Sequence, residues 1–135
     1  MFYETTANYV VIDNKGNDKV VKEKFLIQNC ETFASAECMT FEYLDGQTNL
    51  DVTNIKRSNV KEVINQRSNA DEKIYLAEVS DTQTNDEGEE VELVYKVILY
   101  ARDTNSALSE VNKYLKQGFD MAVVGLKKTK FEEIL

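Results

Sequence analysis

The sequence predicts an α+β fold made by internal duplication of a strand–strand–helix–strand unit, with about six strands and two main helices in a pseudo-twofold arrangement. Three observations predict it. Shifted by 71 positions, residues 14–64 fall on 85–135 without a gap, at ten identities. These are Asn14/Asn85, Val20/Val91, Ile27/Ile98, Ser35/Ser106, Ala36/Ala107, Tyr43/Tyr114, Leu44/Leu115, Val52/Val123, Lys56/Lys127 and Glu62/Glu133, where chance gives about three. Each copy carries runs of β-branched and aromatic residues followed by a helical period. Each copy also places turn-forming residues at corresponding points. Self-similarity of this kind ranks above any short motif as a clue to architecture.

In the first copy, residues 2–12 read as a strand rich in tyrosine, threonine and valine. Asp13 to Asp18 is a turn by composition, and residues 20–29 form the returning strand. Thr32 is an N-cap, its hydroxyl placed to accept from amides of the first helical turn. The helix spans residues 33–44, with Phe33, Ala36, Thr40, Tyr43 and Leu44 at helical spacing. Gly46 ends it in a left-handed conformation. Residues 50–57 are the third strand, and 60–64 read as a closing helical turn.

The second copy follows the same order. Residues 74–81 form a strand, Asn85 to Glu89 the turn, and 91–100 a strand expected to be central and buried on both faces. Asp103 takes the N-cap position of Thr32. The helix spans 106–116, Gly118 ends it, residues 121–128 are the last strand, and 131–135 a last helical turn. These readings give repeat one at residues 1–64, a polar linker at 65–72 and repeat two at 73–135, together one compact domain.

Composition narrows the function. The 135 residues are 42% hydrophobic and 30% charged, as in soluble globular proteins. No apolar run approaches the roughly 20 residues that cross a bilayer, so no membrane role is expected. The net charge of −8 is spread over both halves. It argues against duplex DNA as a partner, because phosphate binding needs a basic face. There is no histidine, and thus no imidazole base. Cys30 and Cys38 read as reduced, small buried apolar side chains, and no metal or cofactor is expected. No phosphate-binding loop, dinucleotide fingerprint or nucleophile elbow appears. The acidic run Asp86, Glu87, Glu89, Glu90 and Glu92 reads as a solvated loop. Glu62 and Glu133 are expected to pair with a nearby cation.

The candidate site lies in the duplicated strand ends. Lys56-Arg57-Ser58 aligns with Lys127-Lys128-Thr129. Paired cations followed by a hydroxyl suit an anion such as a phosphate, with arginine adding a bidentate fork. Charged strand ends that discourage edge pairing are the alternative reading.

The opening Met1-Phe2-Tyr3-Glu4, the mid-chain segment 52–64 with Ile55-Lys56-Arg57, and its echo Leu126-Lys127-Lys128 resemble an uncharacterised family of small domains of unknown function from bacteria and their phages. The resemblance implies no activity. It implies a phage or mobile-element accessory protein as the setting. A start without a basic segment and an apolar stretch implies a cytoplasmic location, bacterial or in a phage-infected host cell. The expectation is a non-enzymatic binding protein that docks a partner protein or holds an anionic, nucleotide-like small molecule. The alternatives are a single-stranded nucleic-acid or replication accessory protein, and an assembly component that oligomerises through its sheet edges.

Overall fold

A computed structural model describes residues 1–115 and 120–135. The helix stop expected at Gly118, and Lys116 before it, lie outside the described residues. The fold is α+β, with strands β1 (Phe2–Ile12), β2 (Asp18–Ile27), β3 (Thr48–Ser58), β4 (Val60–Val63), β5 (Lys73–Thr84), β6 (Glu90–Ala101), β7 (Met121–Lys128) and β8 (Phe131–Ile134). The helices are α1 (Phe33–Tyr43) and α2 (Thr104–Leu115). The strands form two four-stranded sheets, ordered β3-β1-β2-β8 and β4-β6-β5-β7. Read from its other edge, the second sheet repeats the order of the first.

The chain divides into two compact units, Met1–Ser58 with Lys130–Leu135 and Asn59–Thr129. Their boundaries differ from the repeat boundaries at 64 and 73. β4 follows β3 in sequence yet pairs with β6, and β8 follows β7 yet pairs with β2. Each sheet is therefore completed by a borrowed strand, one that in sequence directly follows an edge strand of the other sheet.

These borrowed strands are the segments 60–64 and 131–135, which sequence spacing assigned to helical turns. Apolar residues at i, i+3 and i+4 carried that assignment. A bulge at Lys61 and another at Glu132 give a strand the same spacing. Val60 lies level with Lys96, Glu62 with Val97 and Val63 with Ile98. The extra residue returns Val63 to the face of Val60 and leaves Ile64 packed on the helix-covered core. Pairing to an open sheet edge satisfies backbone groups that an isolated helical turn leaves bare, and it overrides the local pattern.

The first hairpin turn is held by Asp13, whose Oδ1 accepts from the amides of Lys15 (2.8 Å) and Asn17 (2.9 Å). Asn85 does the same for Glu87 (3.0 Å) and Glu89 (2.9 Å). Gly16 and Gly88 take φ of 78° and 79°, the left-handed conformation both turns require. These partners lie 72 apart, not 71. The strand registers agree, since Tyr3 faces Ile27 while Tyr75 faces Leu99. Helices and third strands keep the 71 offset: Arg57 faces Tyr3 and Lys128 faces Tyr75. The first unit thus has one extra residue between β2 and α1, where Asn29 sits at φ 55°. Asn14/Asn85, Val20/Val91 and Ile27/Ile98 are out of structural register.

Each helix packs on one face of its own sheet. Thr32 caps α1 by accepting from the Ser35 amide (3.0 Å), and Asp103 Oδ1 caps α2 by accepting from Ser106 (2.7 Å). Tyr3, Ala7, Phe25, Ile27, Cys30, Ala36 and Leu44 form the first core, whereas Cys38, expected to be buried, lies on the exposed side of α1. Tyr75, Ala77, Val79, Val97, Leu99, Ala107, Val111 and Leu115 form the second. Gly46, at φ 90°, follows α1 as expected.

β6 lies between β4 and β5 as expected, but only its second half is buried. Val97 to Ala101 are enclosed, whereas Val91, Leu93 and Val94 are exposed. The β5–β6 ladder runs out to Thr84 opposite Glu90, beyond the last β7 pair at Asp81. Among the described residues, that end of the hairpin carries no third strand.

Candidate binding surfaces

The predicted basic residues sit at the ends of two edge strands, β3 and β7. Alternation along a strand sends neighbours to opposite faces. Arg57, level with Tyr3, faces the helix side, with its guanidinium 5.9 Å from the centre of the Phe33 ring. Lys56, level with Glu4, faces the other side, its Nζ 4.0 Å from the Glu4 carboxylate. Lys128 and Lys127 divide in the same way, level with Tyr75 and Leu76. Within each unit the two cations are therefore split between faces. Ser58 is half-buried. The Thr129 hydroxyl donates to the Ile74 carbonyl (2.8 Å), a hydrogen bond that ties down the end of β7. Period-two alternation was the available signal that Lys56 and Arg57 would diverge.

Two tyrosine–carboxylate pairs were missed by the sequence reading. The Tyr9 hydroxyl donates to Glu23, and the Tyr114 hydroxyl to Glu62. Glu62 thus meets a phenol, while its neighbour Lys61 lies 4.1 Å from the centre of the Tyr95 ring. The hydrogen bond to Glu23, with burial and the carboxylate charge, pushes Tyr9 up to about 12. Burial first, then the bond to Glu62, raises Tyr114 well above the ordinary phenol range. Both phenols stay protonated near neutrality and act as clamps rather than as nucleophiles.

The polar segment 65–72 is more structured than a linker. Asn65 imitates a strand residue against β6: its Nδ2 donates to the Tyr100 carbonyl (2.9 Å) and its Oδ1 accepts from the Tyr100 amide (2.7 Å). Glu72 gathers the amides of Asn69 (2.9 Å) and Ser68 (2.5 Å). Those donors hold its carboxyl below the usual range. A shallow polar hollow of about 350 Å³ lies beside this segment, lined by Asn65, Ser68, Glu72, Arg102, Ser106 and Glu110. Among the described residues no group of three or more Cys, Asp and Glu side chains converges as a metal cage.

The most open backbone lies elsewhere. β8 covers the outer edge of β2 only from Lys24, and β4 covers β6 only from Lys96. Residues 18–23 of β2 and 90–95 of β6 have no strand on their outer side among the described residues. Gln28 donates outward to Leu135 and Leu26 accepts outward from Leu135. By antiparallel alternation, Val20, Lys22, Glu92 and Val94 also aim their backbone N–H and C=O outward. Val20 is 66% exposed, Val94 55% and Leu93 47%.

The other edges are blunted. β3 bulges at Thr53, β7 at Val124, β4 at Lys61 and β8 at Glu132. Bulges and cations are the usual devices that stop strand edges from pairing. The open stretches of β2 and β6 keep regular register with β1 and β5 throughout.

The profile of a domain family of unknown function, DUF4494, matches residues 1–135. The chain belongs to this family. No curated protein and no solved structure matches it. The family description assigns no activity, so the surfaces above are the basis for a functional reading. No helix among the described residues is long and apolar enough to cross a membrane.

Proposed function

We propose that this is a non-catalytic binding protein whose partner is another protein, taken up by strand addition at the open edges of β2 and β6. The observation that carries this is the pair of regular, exposed stretches 18–23 and 90–95, set among edges that bulges disrupt. A strand laid there gains backbone hydrogen bonds together with contacts to Val20, Leu93 and Val94. Lys56, Arg57, Lys127 and Lys128 then serve as guards on bulged edges. Their division between faces weighs against a shared phosphate site within either unit. A setting in a bacterium, phage or mobile element belongs to the same proposal, and rests on the sequence resemblance.

Proline tests it. At Val20 and Val94 the amide points away from the hairpin partner, so proline removes an outward donor without breaking the inner ladder. The double variant V20P/V94P is expected to keep its circular dichroism spectrum and lose the proteins that the unaltered chain retains from lysate of its source cells. Equal retention by both baits overturns the reading. So does thermal stabilisation by a nucleotide that disappears in K56E/K127E, which instead supports an anion site at the strand ends.

A further inference from the structure

The two open edges differ in charge, and their difference names a partner. The β2 edge is balanced, with Lys19 and Lys22 against Asp18 and Glu23, and has Lys24 at its covered end. The β6 edge carries Glu90 and Glu92, with Glu89 in the adjoining turn and no cation before Lys96.

We infer that the occupant of each edge is a second copy of this chain, the β2 edge of one molecule pairing antiparallel with the β6 edge of the next. This rests on the strand-addition reading above and narrows it. Hydrogen bonding restricts the register, because outward-facing residues must lie opposite outward-facing residues. Both edges expose even-numbered positions. One allowed register places Val20 opposite Val94, Val21 opposite Leu93, Lys22 opposite Glu92 and Glu23 opposite Val91. The exposed aliphatic side chains then cover one another, and the central cross-strand pair is a lysine against a glutamate. Such pairs are the unit of sheet stabilisation.

Like pairs fit less well. Two β6 edges bring Glu90 and Glu92 of both copies together with no cation between them. Two β2 edges, whose Asp18 and Glu23 balance Lys19 and Lys22, leave the acidic β6 edge and its exposed Leu93 and Val94 uncovered. Each molecule offers one edge of each kind, so the contact joins unlike edges and either closes into a ring of two or more copies or extends into a chain. The bounds of the open stretches agree with this. β8 stops the added strand at Lys24 of one copy, and β4 ends the available stretch at Lys96 of the other.

Sedimentation velocity over a range of concentrations, at low and high salt, tests the inference on the full chain. The expected result is association that rises with concentration, to a closed ring or a series of oligomers, and weakens with added salt. Lys22→Glu alone and Glu92→Lys alone each place like charges opposite one another, and each weakens association by about tenfold. K22E/E92K restores the pair and the association. Mixing the two single variants restores association through contacts between unlike variants, because each edge then meets the opposite charge.

Association that ignores E92K overturns the inference in favour of β2–β2 pairing. A chain that stays monomeric at every concentration overturns self-pairing altogether. The strand-addition reading survives that result if V20P/V94P still loses its captured proteins, and falls with it if those proteins remain bound.

Discussion

The two units have the same strand order, turns and caps, yet their helix–sheet interfaces are built from different chemistry. In the first, Thr5 on β1 and Thr40 on α1 are buried, their hydroxyls 2.8 Å apart. Thr40 also donates to the Ala36 carbonyl at 2.9 Å. In the second, the corresponding places hold Ala77 and Val111, both fully buried. A buried hydroxyl is tolerated when it has a partner and is costly when left alone. The same fold thus accepts a polar pair or an apolar pair, but a mixture leaves one group unsatisfied.

The largest expected effect concerns a feature the units share, the borrowed strand. Deleting residues 131–135 removes the hydrogen bonds from Leu135 N to Leu26 O (2.8 Å) and from Gln28 N to Leu135 O (3.1 Å), together with the packing of Leu135 on the first core. The loss is on the order of 3 kcal/mol. It is measured by urea denaturation, with the amides of β2 expected to lose protection. Unchanged stability would show that β8 is an ornament rather than part of the sheet.

A smaller effect follows from mixing the two interfaces. Thr40→Val leaves the Thr5 hydroxyl buried without its partner and costs about 1–3 kcal/mol. T5A/T40V gives the first unit the pair found in the second, and recovers most of that loss. A double-mutant cycle on denaturation midpoints reads the coupling directly. Simple additivity would mean that the hydroxyls do not depend on each other.

The smallest effect separates the caps. The Ser106 amide holds Asp103 below the usual carboxylate range, whereas Thr32 at the same place on α1 carries no charge. A depressed folded value stabilises the native state above the unfolded aspartate pKa, near 3.9, and that contribution fades as pH falls through the lower folded value. Melting temperatures from pH 6 to pH 2 are therefore expected to fall less steeply in Asp103→Thr. An identical slope would remove the cap from the acid response.

How far the sequence carries can be judged on these same residues. The hairpins, helices, caps and third strands follow from period, turn residues and capping types, which are local signals. The borrowed strands do not, because Val60, Val63, Phe131 and Ile134 take strand form only against an edge distant in sequence. The offset of 71 holds where the helices lie and fails in the hairpins, because the first unit has one more residue than the second between β2 and α1, near Asn29. For the candidate surface, the repeated basic strand ends stand out in sequence through the identity Lys56/Lys127 and the like residues that follow it. The open edges do not, because their significance lies in what fails to cover them. Lys22 and Glu92 look like ordinary surface charges until the structure shows both on uncovered, regular strand edges.

Amide hydrogen exchange, read residue by residue in dilute and in concentrated protein, tests the central claim most directly. In dilute solution Val20, Lys22, Glu92 and Val94 are expected to exchange fast, while Val21 and Leu93, bonded within their hairpins, exchange slowly. In concentrated solution all six are expected to be slow. Even-numbered amides that are already protected when dilute, or that still exchange fast once sedimentation shows assembly, would contradict edge pairing.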